Sequence, residues 1–413
     1  MHQATESEKQ FIQAHIDDDV RQLALKSSLA QGMNWSWVLQ QIAARQQLRR
    51  KIPSWYSIDG LQFGASLALE QCSSEQTARY KHALLDGSHP VLTPQGHPVR
   101  RLADLTGGLG VDCAFMSEGR TAVLYVEAQD ELAALATHNF DCLGLTAIVA
   151  KRGQAEDILA AHKGRPEWDV VFLDPARRSR SGSKVFALED CTPDVRTMMP
   201  QLFGFAHAVL LKLSPMLDVT HALRALPQTG AVHIVSVDGE CKELLLELNP
   251  NQSFRPEEVP IHCVDLSSQG DLQTLTCTRL YELQHAPQWA TAPSTYMYEP
   301  NASCLKAGAF ALLSERFSVQ KLHVNSHLFT ADQPVRNFPG RSFKVVDVQP
   351  YHLKSLRKAW PTLKQANLAT RNFPLSVAEI RKQLRLAEGG TQYLFATTLS
   401  DGSKVLVLCE KLT

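Results

Sequence analysis

No run of 18 apolar residues occurs in the chain, which excludes a spanning helix of ordinary length. An apolar signal core is missing too. The first ten residues, MHQATESEKQ, are polar, so the expectation is a cytoplasmic protein. Neither charge is in excess: 42 Lys+Arg stand against 42 Asp+Glu. That excludes polyanion binding driven by overall charge, but not a local basic face. There is no C-x-x-C. The nine cysteines (Cys72, Cys113, Cys142, Cys191, Cys241, Cys263, Cys277, Cys304 and Cys409) are scattered and odd in number. Neither a disulfide framework nor a zinc finger is expected, and reduced thiols are. No repeat at solenoid periods occurs. What is there is a 413-residue chain, 44% hydrophobic and 20% charged, enough for two to four packed domains.

Residues 1–95 read as a helical region. Phe11, Ile12, Ile16, Val20, Leu23 and Leu25 recur at three- and four-residue steps, as do Trp35, Val38, Leu39, Ile42 and Leu48. Pro53 ends that second pattern. Arg45, Arg49, Arg50 and Lys51 near its end read as dipole complements on a solvated face. Ser73 with Gln76 fits a capping box, opening a helix that runs to Leu85. From 96 to 255 short apolar runs alternate with helical stretches. The expected strands are Arg101–Leu105, Ala122–Glu127, Ala147–Ala150, Val170–Leu173, Ala208–Leu213, Ala231–Val237 and Leu244–Leu248. That alternation predicts an α/β fold with a parallel sheet covered by helices. Asp238-Gly239-Glu240 separates the last two strands, so an antiparallel hairpin closes the sheet.

Residues 256–340 hold an expected strand, Thr274–Tyr281, and a helix, Cys304–Arg316. Residues 341–413 read as a small α+β module of their own. That module carries 12 Lys/Arg against 5 Asp/Glu in a neutral chain. Lys354, Arg357 and Lys358 share one side of a helix, and Arg371, Arg381, Lys382 and Arg385 add charge. A basic face that tracks the phosphates of a polyanion is the functional reading, and an ordinary solvated surface is the other.

The sharpest motif is Asp104-Leu105-Thr106-Gly107-Gly108-Leu109-Gly110-Val111-Asp112, where a strand ends in a glycine-rich turn that opens a helix. Glu127 closes the next strand, where an acidic residue reaches a ribose hydroxyl in doubly wound folds. A dinucleotide fingerprint starting at Gly108 needs Gly or Ala where Cys113 stands. Asp104 would repel a pyrophosphate but welcome an ammonium or a sulfonium. The acids therefore favour S-adenosylmethionine over NAD, with a plain tight turn as the alternative. Trp168 to Arg178 is a second constellation, in which the fourth strand ends at Asp174-Pro175-Ala176-Arg177. Its carboxyl end points at the same cleft. Asp174 can accept from a substrate amino group, or simply cap the segment after the strand.

DLTGGLGVD, VLYVEAQD and VVFLDPARR together resemble the motifs of class I S-adenosylmethionine-dependent methyltransferases. More narrowly, the chain resembles bacterial methyltransferases with a C-terminal THUMP-like domain. Gln41 to Gln46 with Lys51 to Trp55, Glu70 to Lys81, Glu299 to Ala302 and Lys306 to Gly308 carry this along nearly the whole chain. The resemblance implies a Rossmann-like methyltransferase domain, a ferredoxin-like domain over 256–340 and a THUMP-like domain over 341–413. It implies an RNA partner as well. For the cofactor it implies Asp104, Thr106, Gly107, Gly108, Gly110, Glu127 and Gln154, and for catalysis Asp174, Pro175 and Arg177.

Amine methyltransferases usually place an aromatic residue after their Asp-Pro or Asn-Pro motif, to stack on the base. Here Arg177 stands instead, a group able to stack on a base or hold a phosphate. The Asp-Pro-x-Arg pattern is nearer to uracil C5-methyltransferases, but those need a nucleophilic Cys after the fifth strand. That strand ends Leu211-Lys212-Leu213-Ser214-Pro215, so a covalent adduct is not expected. Direct in-line transfer needs neither metal nor covalent intermediate. His323 and His327 lack a third ligand and do not read as a metal site. Two other readings are a protein or small-molecule methyltransferase that docks through its last module, and a scaffold that has lost catalysis.

Overall fold

In the computed structural model, the apolar runs between 98 and 250 become strands within one residue or a few of their expected bounds. The structure describes residues 2–26, 32–64, 66–177, 188–252 and 254–412. The chain divides into two units, residues 1–232 with 244–254 and residues 233–243 with 255–413.

In the first unit, β1 (Arg101–Asp104), β2 (Ala122–Glu127), β3 (Ile148–Arg152) and β4 (Trp168–Leu173) are parallel. A short antiparallel ribbon comes next, β5 (Ala176–Arg177) with β6 (Cys191–Thr192). β7 (Ala206–Leu213) returns parallel to β4. The order is β7, β4, β1, β2, β3. Val170 to Leu173 and Ala208 to Leu211 are buried, as strands covered on both faces must be. β1 lies between β2 and β4, so the chain leaves it on one side and later returns on the other. That reversal opens a crevice beyond the strand carboxyl ends. Asp104 and Asp174 both lie at this switch point.

β8 (Thr229–Val237) and β9 (Glu240–Leu248) form the expected hairpin. Asp238 at φ 49° and Gly239 at φ 82° supply the two left-handed residues that a tight hairpin turn requires. The second strand of the hairpin, β9, is the one that pairs with β7, antiparallel from Val209↔Leu248 to Leu213↔Leu244.

The N-terminal helices Glu6–Ala14, Val20–Ala24 and Trp35–Lys51 are capped by Thr5, Asp19 and Asn34. They share a core of Ile12, Leu23, Val38 and Ile42. The next segment is locked onto the sheet's helices. Trp55 stacks on Phe115 with ring centroids 6.2 Å apart, and Asn139 exchanges two hydrogen bonds with the Gln62 backbone. The helical region is therefore part of the same unit as the sheet.

The second unit holds β10 (Pro260–Leu266) paired with β11 (Leu272–Thr278). The expected strand over 274–281 stops early, because Thr278 caps a helix, Arg279–Gln284. A seven-stranded sheet comes after it. It is made from β12 (Tyr296–Pro300), β13 (Gln320–Lys321), β14 (Phe329–Ala331), β15 (Gly340–Pro350), β16 (Asn367–Arg371), β17 (Gln392–Thr398) and β18 (Lys404–Lys411). Its order is β13, β14, β12, β15, β18, β17, β16, with only β16 and β17 parallel. One core gathers Met297, Leu322, Phe343, Phe395 and Val407. Another gathers Leu356, Ile380, Leu394 and Leu406, seating the helices Leu353–Ala359 and Val377–Leu384. The single helix expected over 304–316 is two, Ala302–Ala307 and Phe310–Phe317. Gly308 at φ 68° caps the first in the left-handed region. The expected fold class, an α/β sheet followed by small α+β modules, is what the chain adopts.

Candidate active site

The glycine-rich turn succeeds β1 and leads into the helix Val111–Met116. A side chain at Gly107 would meet the Tyr125 ring at 2.0 Å, and one at Gly110, where φ is 77°, would meet Phe140 at 2.5 Å. The protein's own rings therefore impose two of the three glycines. Gly108 differs: φ is 53°, and nothing lies within 4 Å of where a Cβ would stand. Its backbone is the open part of the turn. The Tyr125 hydroxyl donates to the Gly108 carbonyl at 2.6 Å. The Glu127 carboxylate accepts from the Gly108 N–H and the Gln129 N–H, both at 2.8 Å. Glu127 thus shapes the turn before any ligand is considered.

Asp104 is buried at the end of β1. One carboxylate oxygen accepts from the Thr106 N–H at 3.0 Å, while the other is buried without a hydrogen-bond partner. Burial, and then the neighbouring Asp112 and Asp174, push its pKa well above the usual carboxylate range. Thr106 ties the two strand ends together, because its hydroxyl accepts from the Asp174 N–H at 2.6 Å.

Sequence reasoning missed the network beneath. Lys212, near the end of β7, is 9% exposed. It donates to Asp174 at 2.6 Å, to Asp112 at 3.4 Å and to the Ser73 hydroxyl at 3.2 Å. Lys81, fully buried, pairs with Asp112 at 3.2 Å and donates to Ser73 at 3.2 Å. Ser73 in turn donates to Asp112 at 2.8 Å. Burial alone would raise the Asp112 pKa, but the two ammonium groups outweigh it and hold the carboxyl below its usual range. The capping-box expectation for Ser73 is overturned. Ser74 caps the helix Glu75–Ala83 by accepting from the Thr77 N–H, and Ser73 points its hydroxyl into the charge network. Ser74 offers the same local cap one residue later, so nothing local separates the two. A lysine within Leu210-Leu211-Lys212-Leu213 was the one available signal, since an unpaired ammonium does not belong in a buried strand.

The other expected residues lie apart from this network. Gln154 is exposed between β3 and the helix Ala155–Ala161. Pro175 is buried after β4. The Arg177 backbone pairs with Cys191 in the short ribbon, while its side chain and Arg178 lie outside the described residues. In the second unit Lys354, Arg357, Lys358, Lys382 and Arg385 are at least partly exposed. Arg371 and Arg381 are engaged otherwise. Arg371 pairs with the buried Glu299, which also holds Arg341, and Arg381 pairs with Glu388 at 3.5 Å.

Two family models match the C-terminal part, a ferredoxin-like domain over residues 296–339 and a THUMP domain-like one over 340–411. Among solved structures, a candidate methyltransferase from Porphyromonas gingivalis W83 is 31% identical, with a TM-score of 0.85 over 98% of each chain. An O-methyltransferase from Bacillus cereus, solved in complex with SAH, is 12% identical, with a TM-score of 0.32 over 49% of this chain and 99% of that one. A ribosomal protein L11 methylase from Lactobacillus delbrueckii subsp. bulgaricus is 16% identical, with a TM-score of 0.29 over 46% and 82%. No curated protein sequence matches the chain.

Proposed function

The chain belongs to the methyltransferase family with a C-terminal THUMP-like domain, and from that premise we propose that it transfers a methyl group from S-adenosylmethionine to a base in RNA. The observation that carries the cofactor assignment is the buried, unpartnered oxygen of Asp104, in a turn whose Gly108 is open. A buried acceptor without a donor is costly, and an ammonium group supplies the donor. A dinucleotide pyrophosphate would instead face a carboxyl group. The residues therefore fit the cofactor.

Asp104 would hold its amino group. Glu127 would hold the ribose hydroxyls, because a carboxylate has about four acceptor positions and the two backbone donors take one on each oxygen. Gln154, exposed past β3, would meet the nucleobase edge. Thr106 holds the turn through the Asp174 N–H, and its own hydroxyl proton would donate to the ligand. When bound, the sulfonium supplies an electrophilic methyl group. Asp174 then orients the acceptor. Lys212 occupies its Oδ2, and Oδ1 accepts an N–H from the base amine, turning the nitrogen lone pair toward the crevice. After transfer that same oxygen takes the proton the amine must lose. Positioning of this kind supplies much of the rate in an in-line displacement.

The match to a THUMP domain-like family and the exposed Lys354, Arg357 and Lys358 support RNA as the substrate. Mass spectrometry of modified nucleosides from cells with and without the protein tests it. A methylated base lost on deletion is the expected result, and unchanged profiles would sink the RNA assignment. For the cofactor, calorimetric titration of Glu127→Ala should show an affinity loss of about 1–3 kcal/mol. Unchanged affinity in a folded variant removes Glu127 from the site.

A further inference from the structure

The second unit contains a cleft of about 530 Å³ beside β11, within the size range of small-ligand sites. Two arginines line it: Arg316, in the last turn of the helix Phe310–Phe317, and Arg336, in the loop before β15. Neither guanidinium has an ion-pair partner among the described residues. Glu315, the acid next to Arg316 in sequence, is engaged by the Tyr281 hydroxyl. Phe317 also lines the cleft, edge-on to Phe338 with centroids 5.5 Å apart. The amides of Gln273 and Asn337 flank it.

The walls are pre-formed. The Val335 N–H donates to the Tyr298 hydroxyl at 2.8 Å, Gln273 donates to the Asn337 carbonyl at 2.9 Å, and the Asn301 N–H donates to the Pro339 carbonyl at 2.9 Å. Both ends of the loop bearing Arg336 are therefore pinned. Ser318 at φ 51° is the left-handed C-cap that ends the helix Phe310–Phe317, and Asn337 at φ 55° turns the loop after Arg336.

We propose that this cleft seats one nucleotide of a single-stranded RNA, its phosphate between Arg316 and Arg336 and its base against Phe317. Guanidinium groups bind phosphate oxygens in paired hydrogen bonds. Aromatic rings stack on any base, and side-chain amides read base edges. The proposal rests on the RNA reading above and adds a second contact to it, separate from the basic helix Leu353–Ala359.

The test is fluorescence anisotropy of a labelled uridine oligonucleotide, about a dozen residues long, with the full chain. The Arg316→Gln/Arg336→Gln double variant should bind at least about tenfold more weakly, from lost charge-assisted hydrogen bonds. Its salt dependence should be shallower by roughly 0.7, the share of the one phosphate held between the two arginines. Phe317→Leu should weaken binding at an unchanged salt slope. Unchanged affinity and slope in a double variant that unfolds at the wild-type midpoint overturn the cleft, while RNA binding that only the Lys354, Arg357 and Lys358 substitutions weaken leaves the broader reading standing. Wild-type protein that binds no RNA overturns both. Uridine monophosphate binding as tightly as the oligonucleotide makes the occupant a free nucleotide and overturns the strand assignment.

Discussion

At the carboxyl ends of the parallel strands, Asp104, Asp112, Lys81 and Lys212 sit almost wholly out of water. On the helix Leu353–Ala359, Lys354, Arg357 and Lys358 sit in it. In the first region desolvation opposes every charge, so each persists only through a partner at hydrogen-bond distance or a shifted proton equilibrium. In the second, water and salt screen the charges, which cost little to keep and can be traded one for another. Buried charge of the first kind specifies geometry to within a bond length. Exposed charge of the second kind specifies only a field, adequate for a polyanion whose backbone is the same everywhere.

The contrast breaks most readily at Lys81. Lys81→Met leaves one oxygen of the buried Asp112 without its cation and should lower stability by about 3–5 kcal/mol. Urea unfolding followed by circular dichroism measures this. A loss under about 1 kcal/mol would place Lys81 among the dispensable charges. Pairing the change with Asp112→Leu should restore part of the loss.

Asp174 comes next. Its side chain is 39% exposed, so Asp174→Ala should fold. The rate of single-turnover methylation on RNA from a deletion strain should fall roughly 10²-fold, with cofactor affinity kept. Wild-type rates would make the carboxylate a strand-end cap, and loss of cofactor binding along with transfer would make it a cofactor residue.

A smaller effect belongs to the exposed side of the comparison. Replacing Lys354, Arg357 and Lys358 together with Ala should leave the unfolding midpoint in place and flatten the salt dependence of RNA affinity by up to roughly 2. A destabilised protein with an unchanged slope would show that these charges serve the fold.

The subtlest change is at Asp104. Its folded pKa is raised, so the native state holds its proton longer than the unfolded chain does. Stability attached to it is therefore full at acid pH and falls as pH rises from the ordinary carboxylate range through the raised value. Asp112 runs the other way: its contribution is present above the unfolded carboxylate pKa and is lost as pH falls through the depressed one. Asp104→Asn should thus raise the neutral-pH unfolding midpoint of the ligand-free protein and flatten its decline with pH, while weakening a cationic ligand. Thermal unfolding across a pH series checks the sign, and a lower midpoint at neutral pH refutes it.

Much of this was legible from pattern alone. Apolar runs of four to eight residues marked the strands of the first unit, and Asp238-Gly239 marked the hairpin, because backbone preferences act over a few residues. The glycine turn and the strand-end places of Glu127 and Asp174 were readable because a strand's last residue is marked by where its apolar run stops. Lys81 was not. In the last turn of the helix Glu75–Ala83 it looks like any dipole-complementing cation, yet it is fully buried. Arg371 and Arg381 failed in the opposite direction, counted toward an open basic face but held by Glu299 and Glu388.

By itself the sequence determined the strands of the parallel sheet and its hairpin, where the glycine turn lies and which acids end the strands. Each of these comes from periodicity, glycine and strand-end position within a short window. Only the tertiary structure decided that Ser73, Lys81, Asp112, Asp174 and Lys212, drawn from four separate stretches, meet in one buried network. It also decided that Arg316 and Arg336 face a common cleft. The physical reason is that burial and pairing depend on what the fold brings alongside, and no single residue carries a local mark of its distant partner.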